Sequence, residues 1–188
     1  MDKQQSKSYR IVASELEIEH ENKDKIFNTF FALSDFFKKY PNPGACHLIS
    51  SVFHILLKEQ GIENTLCIGE VKTDMKFFDH SWIEINDQVF DIAIQLTLDE
   101  KVNPPVYFGV DLATERATSL IYGAKSHIGF DSDAKQVLQT PFVKYMDGYP
   151  LYREGAWKIV KSVGKEIKLK ININDIKGRY YNTTRVIK

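Results

Sequence analysis

The spacing of apolar residues predicts two consecutive helices in the first third of the chain. Within residues 24–40 apolar side chains recur every three or four positions and include five phenylalanines, which is typical of an amphipathic helix with an aromatic face toward the core. The loop 41–44 contains two prolines and a glycine, which end that helix. Residues 45–60 are then apolar on most of a helical surface, and Gly61 supplies a stop. Because a helix that is apolar nearly all round is buried, we expect this second helix at the centre of the fold.

Alternation of apolar and polar residues predicts the strands that follow. We expect a strand at residues 65–71, and two more at 79–86 and 88–94. Asn86 and Asp87 form a tight turn between the last two, which makes an antiparallel hairpin.

Weaker patterns predict the remaining elements. We expect further strands at residues 10–20, 106–110 and 166–174, and further helices at residues 133–138 and 153–163, the second ending before Gly164. Residues 1–8 are polar and are expected to be disordered. The rest of the segment 111–150 is interrupted by glycine and proline and predicts no clear element.

These elements indicate an α+β fold in which the helix that carries Cys46 packs on an antiparallel sheet. The chain of 188 residues, with 43% hydrophobic and 12% aromatic residues, fits one globular domain. We expect its core at about residues 24–110, with residues 111–188 completing the sheet or covering the cleft.

The charge balance limits the expected partners. The chain has 25 basic and 25 acidic residues, so its net charge gives no general reason to expect nucleic acid or a membrane as partner. Residues 158–188 nevertheless hold nine Lys or Arg and only two acidic residues. This basic segment is either a solvated edge strand that lysines keep soluble or a surface for an acidic partner.

Cysteine usage bears on the compartment and on cofactors. The chain has two cysteines, Cys46 and Cys67, and shows neither a signal-peptide pattern nor an apolar run of transmembrane length. We therefore expect a cytoplasmic protein with free thiols. A disulfide between the two cysteines is the alternative that the sequence leaves open. No CxxC or HxxxH spacing and no glycine-rich phosphate loop is present, so no metal or other cofactor is expected. Cys67 lies in a central strand and is expected to be a core residue.

Cys46 stands where the loop 41–44 becomes a helix. The first turn of a helix has unpaired N–H groups and a partial positive charge, and both favour a thiolate over a thiol. Cys46 is therefore a candidate nucleophile.

The hairpin supplies two residues that a thiol nucleophile requires. The thiol needs a base within hydrogen-bond reach, and an imidazole base needs a carboxylate or amide on its other nitrogen. With a two-residue turn, the register places Trp82 opposite Asp91 and His80 opposite Ala93. His80 and Asp91 are then diagonal neighbours roughly 7 Å apart at the backbone, which their side chains can bridge.

Several short motifs between residues 40 and 95 carry a resemblance to a known family. They are Gly44-Ala45-Cys46, Gly61-Ile62-Glu63, Gly69-Glu70-Val71, Asp79-His80-Ser81-Trp82-Ile83-Glu84-Ile85 and Val89-Phe90-Asp91. Together they resemble the catalytic core of the transglutaminase-like branch of the papain-like cysteine peptidases. The resemblance implies acyl transfer from a peptide or protein amide through a thioester: proteolysis, deamidation, transamidation, or peptide maturation as in lasso-peptide leader proteases.

The resemblance also implies the roles of individual residues. Cys46 is expected to attack as a thiolate, His80 to accept and return the proton, and Asp91 to orient His80. The Cys46 N–H would be one oxyanion donor, and Tyr40 and Asn42 are candidates for the second because they are close in sequence.

Other residues of the Cys46 helix have lesser expected roles. Ser50 and His54 continue the Cys46 face and are expected either to line the floor of the cleft or to satisfy buried polar groups. Trp82 is a further candidate lining residue. His47 points about a quarter turn away and His54 lies two turns on, roughly 12 Å along the axis, so neither is expected to be the base.

The chain departs from animal transglutaminases in two respects. Asn42, Pro43 and Gly44 stand where those enzymes have an aromatic-rich motif, and no calcium loop is evident, which disfavours calcium-dependent crosslinking. The alternative function is a catalytically inactive binding domain on the same scaffold. A reactive Cys46 would distinguish the two, and the sequence predicts neither the substrate nor the oligomeric state.

Overall fold

The computed structural model describes residues 7–188 and shows an α+β fold. The helices within these residues are α1 (Tyr9–Glu15), α2 (Lys23–Lys39), α3 (Cys46–Lys58), α4 (Ser132–Gln139), α5 (Phe142–Asp147), α6 (Trp157–Glu166) and α7 (Ile173–Arg179), with a short 3-10 helix at Ala93–Gln95. The strands are β1 (Thr65–Lys72), β2 (Phe77–Ile85), β3 (Gln88–Phe90), β4 (Val106–Tyr107), β5 (Val110–Asp111), β6 (Arg116–Ala117), β7 (Ile121–Ala124) and β8 (Val186–Ile187). The expected disorder at residues 1–8 falls mostly on residues 1–6, which lie outside the described part.

Helix α3 lies at the centre of the molecule. Eleven of its 13 residues are buried, and it packs against β1 and β2 on one side and against α2 and α6 on the other. Burial of each large apolar side chain contributes about 1.5–3 kcal/mol, so this helix is firmly held at one position on the sheet. The prediction of a central cysteine-bearing helix on an antiparallel sheet is confirmed.

Helix α2 is amphipathic, as its apolar spacing predicts. Its buried face carries Phe30, Phe31, Leu33 and Phe37, and its last turn ends in Lys38 and Lys39 at the negative end of the helix dipole.

The main sheet has the strand order β3-β2-β1-β7, and all three of these pairs are antiparallel. Strand β8 adds to β1 in the parallel direction, where Cys67 pairs with Val186. A second, small sheet contains β4, β5 and β6. Strands β7 and β8 show that the C-terminal half contributes two strands to the main sheet.

The hairpin of β2 and β3 has the expected turn but a shorter second strand. Asn86 and Asp87 both have positive φ, 49° and 60°, as a two-residue type I′ turn requires. Pairing continues to Ile83 opposite Phe90 and then ends. Residue 91 instead forms a bridge with Val106, so the strand expected at 88–94 stops at residue 90. The expected pairs of Trp82 with Asp91 and of His80 with Ala93 are therefore wrong.

The strand predicted at residues 10–20 is wrong, because residues 9–15 form α1. Ser8 caps this helix by accepting from the Ile11 N–H, and Val12 and Ala13 are its buried residues. The alternation of Leu16 and Ile18 that suggested a strand begins only after the helix ends.

The strand predicted at residues 166–174 is also wrong. Helix α6 continues to Glu166, and α7 begins at Ile173 with the Asn172 side chain accepting from the N–H of residue 174. The apolar residues between the two helices pack on α6: the Ile171 side chain lies 2.9 Å from where a Cβ on Gly164 would be. The basic residues here therefore do not form a solvated edge strand.

Three further elements lie where the sequence predicts them, although two of them differ in extent or are interrupted. The helix expected at 133–138 is confirmed as α4, which Asp131 caps. The strand expected at 106–110 is two short strands, because Phe108 and Gly109 form a turn with φ of 54° and 73°. The helix expected at 153–163 begins four residues later, at Trp157, and includes Gly164.

In residues 7–188, no helix is both long and apolar enough to cross a bilayer.

The turn between α5 and α6 gives a test of the fold. Gly155 has a φ of 62°, and a Cβ there would lie 2.3 Å from the Met146 carbonyl oxygen. We expect Gly155→Ala to lower the free energy of unfolding by at least about 2 kcal/mol, measured by urea denaturation. Gly178→Ala is the matched control: it lies in α7 with open space around its Cα, so helix propensity should raise stability by roughly 0.5–1 kcal/mol. Equal effects of the two substitutions would contradict this account of the turn.

Candidate active site

Cys46 is the first residue of α3, and the loop before it sets its position. The Gly44 N–H donates to the Leu96 carbonyl at 3.3 Å, and the Ala45 N–H donates to the Asn42 carbonyl at 3.2 Å. In the described part of the chain no side chain caps this helix start, which leaves the N–H groups of the first turn available to an anion. Cys46 is 8% exposed and lies on the wall of a cleft.

His80 lies on β2 and is 3% exposed. Its Nε2 is 2.7 Å from Oδ2 of Asp91, which leaves Nδ1 as the free ring nitrogen. The ring interacts with the Cys46 thiol through charge and hydrogen bonding. Because successive strand residues point to opposite faces, Ser81 and Ile83 point away from His80, toward α3 and the main core.

Asp91 holds His80 from the loop after β3. Its own backbone is fixed by two hydrogen bonds with Val106, of 2.8 and 3.0 Å. The carboxylate is buried, but it accepts three hydrogen bonds: from His80 Nε2 at 2.7 Å, from the Tyr122 hydroxyl at 2.8 Å and from the Ile94 N–H at 3.1 Å. These donors compensate for the removal of a charged group from water.

Comparison with protein families gives a match for the part of the chain that contains these three residues. The family model described as the transglutaminase-like superfamily matches residues 12–103. This part of the chain is similar to the transglutaminase-like superfamily. No curated protein and no solved structure gives a significant match to the chain.

The electrostatics of the transglutaminase-like site favour an ionised thiol. Burial by itself raises the pKa of Cys46, but the charge of His80 and hydrogen bonds with His47 and His80 outweigh burial and lower the pKa from 9.0 to about 5. Burial likewise disfavours a charged His80, but the charges of Asp91 and Cys46 raise its pKa from 6.5 to about 10. A thiolate and an imidazolium therefore coexist over a wide range around neutral pH.

The second cysteine of the transglutaminase-like domain has the opposite environment. Cys67 is fully buried on β1 in a small apolar cluster with Val71 and Trp82. Burial raises the pKa of its thiol to about 12. Both cysteines are free, and only Cys46 is placed to react.

His47 also contributes to the site, which its position in the sequence did not predict. Its Nδ1 is 2.7 Å from the Ser81 hydroxyl, and a hydrogen bond from this residue helps to lower the pKa of Cys46. At the first turn no earlier turn of helix covers the side chains, so neighbouring residues can reach the same cleft. His54 lies apart from the cleft beside Asn64, and burial lowers its pKa to about 4.

Tyr122 was missed as well, and the sequence held no signal for it. It lies on β7 in the segment that shows no clear pattern, and it reaches Asp91 only because β7 pairs with β1. It also lies beyond the family match, which ends at residue 103.

The other candidates do not line the cleft. Tyr40 is half exposed at the end of α2 and stacks on Phe36. Asn42 holds the loop through its carbonyl, and Ser50 donates to the Ser81 carbonyl at 2.8 Å. Trp82 is fully buried and donates to Glu84 at 2.9 Å. These residues support the elements that carry the site.

The cleft in front of Cys46 and His80 has a volume of about 810 Å³. One wall contains Leu98 and the other Ile128, which are 78% and 88% exposed. Several acidic and basic residues also line it: Glu70, Lys76, Asp79, Asp99, Asp131, Asp133 and Lys135. Large exposed apolar side chains at a reactive thiol are typical of a surface that binds a ligand.

The wall that contains Ile128 is tied to the sheet by acidic side chains. Glu70 accepts from the backbone and hydroxyl of Ser126, and Asp79 accepts from the Asp131 N–H at 2.7 Å. The opposite wall is held by an ion pair of 2.8 Å between Lys76 and Asp99. Among residues 7–188, no three His, Cys, Asp or Glu side chains are grouped to hold a metal ion.

The two cysteines allow an internally controlled test of the ion pair. We expect iodoacetamide to label Cys46 rapidly at about pH 6, because the thiolate is already formed, and Cys67 to stay unlabelled. In His80→Ala the labelling rate of Cys46 should fall at least about tenfold, since loss of the thiolate outweighs the higher nucleophilicity of a more basic thiol. Peptide mass spectrometry after short exposure measures both sites. A rate at Cys46 that is indifferent to His80 would contradict the ion pair.

Proposed function

We propose that this transglutaminase-like protein is a cysteine-dependent enzyme that transfers an acyl group from a peptide or protein amide through a thioester. The observation that carries the proposal is the hydrogen bond between His80 and Asp91 beside a cysteine at a helix N-terminus. A nucleophile, a base and a residue that orients the base are the parts that acyl transfer requires. Cys46 and His80 line an open cleft, and the buried Asp91 is hydrogen-bonded to His80.

In the first step the Cys46 thiolate attacks the amide carbonyl carbon. The new S–C bond pushes the carbonyl electrons onto oxygen, and the Cys46 N–H is placed to stabilise that oxyanion. His47 lines the cleft beside Cys46, so we propose it in place of Tyr40 and Asn42 as the second donor.

In the second step the tetrahedral intermediate collapses and the C–N bond breaks. The leaving amine takes the proton that His80 holds on Nδ1, and a thioester with Cys46 remains. His80, now neutral, accepts a proton from the incoming water or amine, which attacks the thioester and releases Cys46. Asp91 keeps the ring in place throughout, because it is bound on the opposite nitrogen.

The cleft favours an extended peptide as the substrate. It is open to solvent and has exposed apolar side chains at Leu98 and Ile128, which can contact the side chains of a peptide. We propose a reducing compartment, the cytoplasm, because the nucleophile has to stay a free thiol.

The main alternative remains a binding domain without activity. The enzyme is favoured because Cys46 and His80 line the cleft with strongly shifted pKa values, which is typical of catalytic sites. An acidic partner for the basic C-terminal segment is less well supported. Several of its charges are already paired, as Lys177 with Asp147 and Arg179 with Glu59.

The test is to incubate the purified protein with a peptide library made from a digested proteome and to analyse the products by mass spectrometry. New peptide termini report hydrolysis, conversion of Gln to Glu reports deamidation, and incorporation of an added primary amine reports transamidation. We expect at least one of these products from the wild type. Asp91→Ala, which removes the acceptor that orients His80, should lower the turnover of that substrate by about 10³–10⁴-fold with a smaller effect on KM.

Cys46→Ala, purified in the same way, is the matched control and should give none of these products. The same products from Cys46→Ala would overturn the proposal. A wild type that gives no products and whose Cys46 is unreactive would instead establish the binding domain.

A further inference from the structure

Tyr122 contacts the same carboxylate oxygen that holds His80. Its hydroxyl donates to Oδ2 of Asp91 at 2.8 Å, and Nε2 of His80 binds that oxygen at 2.7 Å. The other oxygen of the carboxylate accepts only from the Ile94 N–H, at 3.1 Å. The Tyr122 hydroxyl thus contacts Asp91, which orients the base, and does not contact His80 itself.

The backbone around Tyr122 is shaped to bring the side chain there. Strand β7 has a bulge opposite β1: Tyr122 pairs with Val71 and Ala124 pairs with Glu70, which leaves Gly123 as the extra residue. Gly123 has a φ of 74°, which a glycine adopts without strain. Bulges re-aim the side chains beside them, and this one points Tyr122 toward Asp91.

The ring of Tyr122 is fixed by its neighbours. It packs on Trp82 with ring centroids 5.0 Å apart, and it lies 6.5 Å from the His80 ring. Burial and the nearby Asp91 raise the pKa of its hydroxyl well above 10. The hydroxyl therefore remains a hydrogen-bond donor at every pH at which the enzyme would work.

We propose that Tyr122 is a positioning residue for acyl transfer, which holds the Asp91 carboxylate in place and limits how strongly Asp91 binds the protonated His80. The inference rests on the proposed function. It assigns a role in the site to the half of the chain beyond residue 103, which the family match does not cover.

Tyr122 limits the strength of the hydrogen bond between His80 and Asp91 because both donors share the negative charge of one carboxylate oxygen. A carboxylate oxygen that accepts two hydrogen bonds offers less negative charge to each donor than one that accepts a single bond. Without the Tyr122 hydroxyl, Asp91 would stabilise the imidazolium more strongly. His80 would then keep its proton to higher pH and would release it less readily to the leaving amine.

Other charged and titratable groups surround the pair and stay constant in the test. Asp111 on β5 acts on Tyr122, and His47 lies beside Cys46. Tyr145 on α5 and Arg185 near the C-terminus also act on Cys46. A change that is specific to Tyr122 has to appear in the titration of His80 and not in that of Cys46.

The experiment measures the alkylation rate of Cys46 against pH in the full-length protein and in Tyr122→Phe. The acid inflection reports formation of the thiolate beside the imidazolium, and the alkaline inflection reports loss of the His80 proton. We expect the acid inflection to stay and the alkaline inflection to rise by about one pH unit, which corresponds to a hydrogen bond to a charged group. With a substrate, kcat should fall about tenfold with little change in KM.

Two further variants make the test specific. Tyr180→Phe is the matched control, since Tyr180 is also buried and donates to a carboxylate, Glu59, at 2.9 Å, but lies outside the cleft. It should leave both inflections unchanged. Replacement of Tyr122 by 3-fluorotyrosine keeps the shape and makes the hydroxyl a stronger donor, so the alkaline inflection should move down.

The outcomes separate the two proposals. An unreactive Cys46 in the wild type would overturn the proposed function itself. A reactive Cys46 whose alkaline inflection is the same with tyrosine, phenylalanine and 3-fluorotyrosine at position 122 would overturn only the role of Tyr122. If Tyr122→Phe fails to fold, the opposite shift with 3-fluorotyrosine still decides the question.

Discussion

The 2.7 Å hydrogen bond between His80 and Asp91 joins a central strand to the loop beside it, and the candidate site depends on it. Both side chains are buried, so the loss of either would leave an uncompensated charge, which costs about 3–5 kcal/mol. The bond exists because β3 ends at Phe90 and the backbone of Asp91 turns to pair with Val106. The 3-10 turn that follows then supplies the Ile94 N–H to the second carboxylate oxygen. A short strand, a bridge and a turn thus place one carboxylate.

The rest of the fold brings a thiol and a cleft to this pair. Burial of α3 on the sheet holds Cys46 beside His80, and the unpaired N–H groups at its start favour the thiolate. The part of the chain outside the family match supplies Tyr122 and the cleft wall that contains Ile128. The transglutaminase-like segment therefore carries the three central residues, whereas the second half completes their surroundings.

The sequence predicts most of this arrangement where local pattern and packing agree. Apolar periodicity identifies α2 and α3, and the Asn86-Asp87 turn sets the register that brings β2 and β3 together. The prediction from the sequence fails where local contacts start a helix although apolar and polar residues alternate as in a strand. Residues 10–20 and 166–174 are the examples, because side-chain caps start helices there. It also fails for contacts that depend on long-range pairing. Tyr122 lies 31 residues from Asp91 on a short strand without a clear pattern, and only its pairing with β1 places it in the site.

The shifted pKa values of Cys46 and His80 predict a thiolate–imidazolium pair near neutral pH. The most direct measurement is the ultraviolet absorbance of the thiolate as a function of pH, taken as the difference between the wild type and Cys46→Ala. The account predicts that the absorbance of one thiolate appears as the pH rises through about 5. Absorbance that appears only near the ordinary pKa of a thiol, at about 8.5, would contradict the ion pair and with it the proposed chemistry.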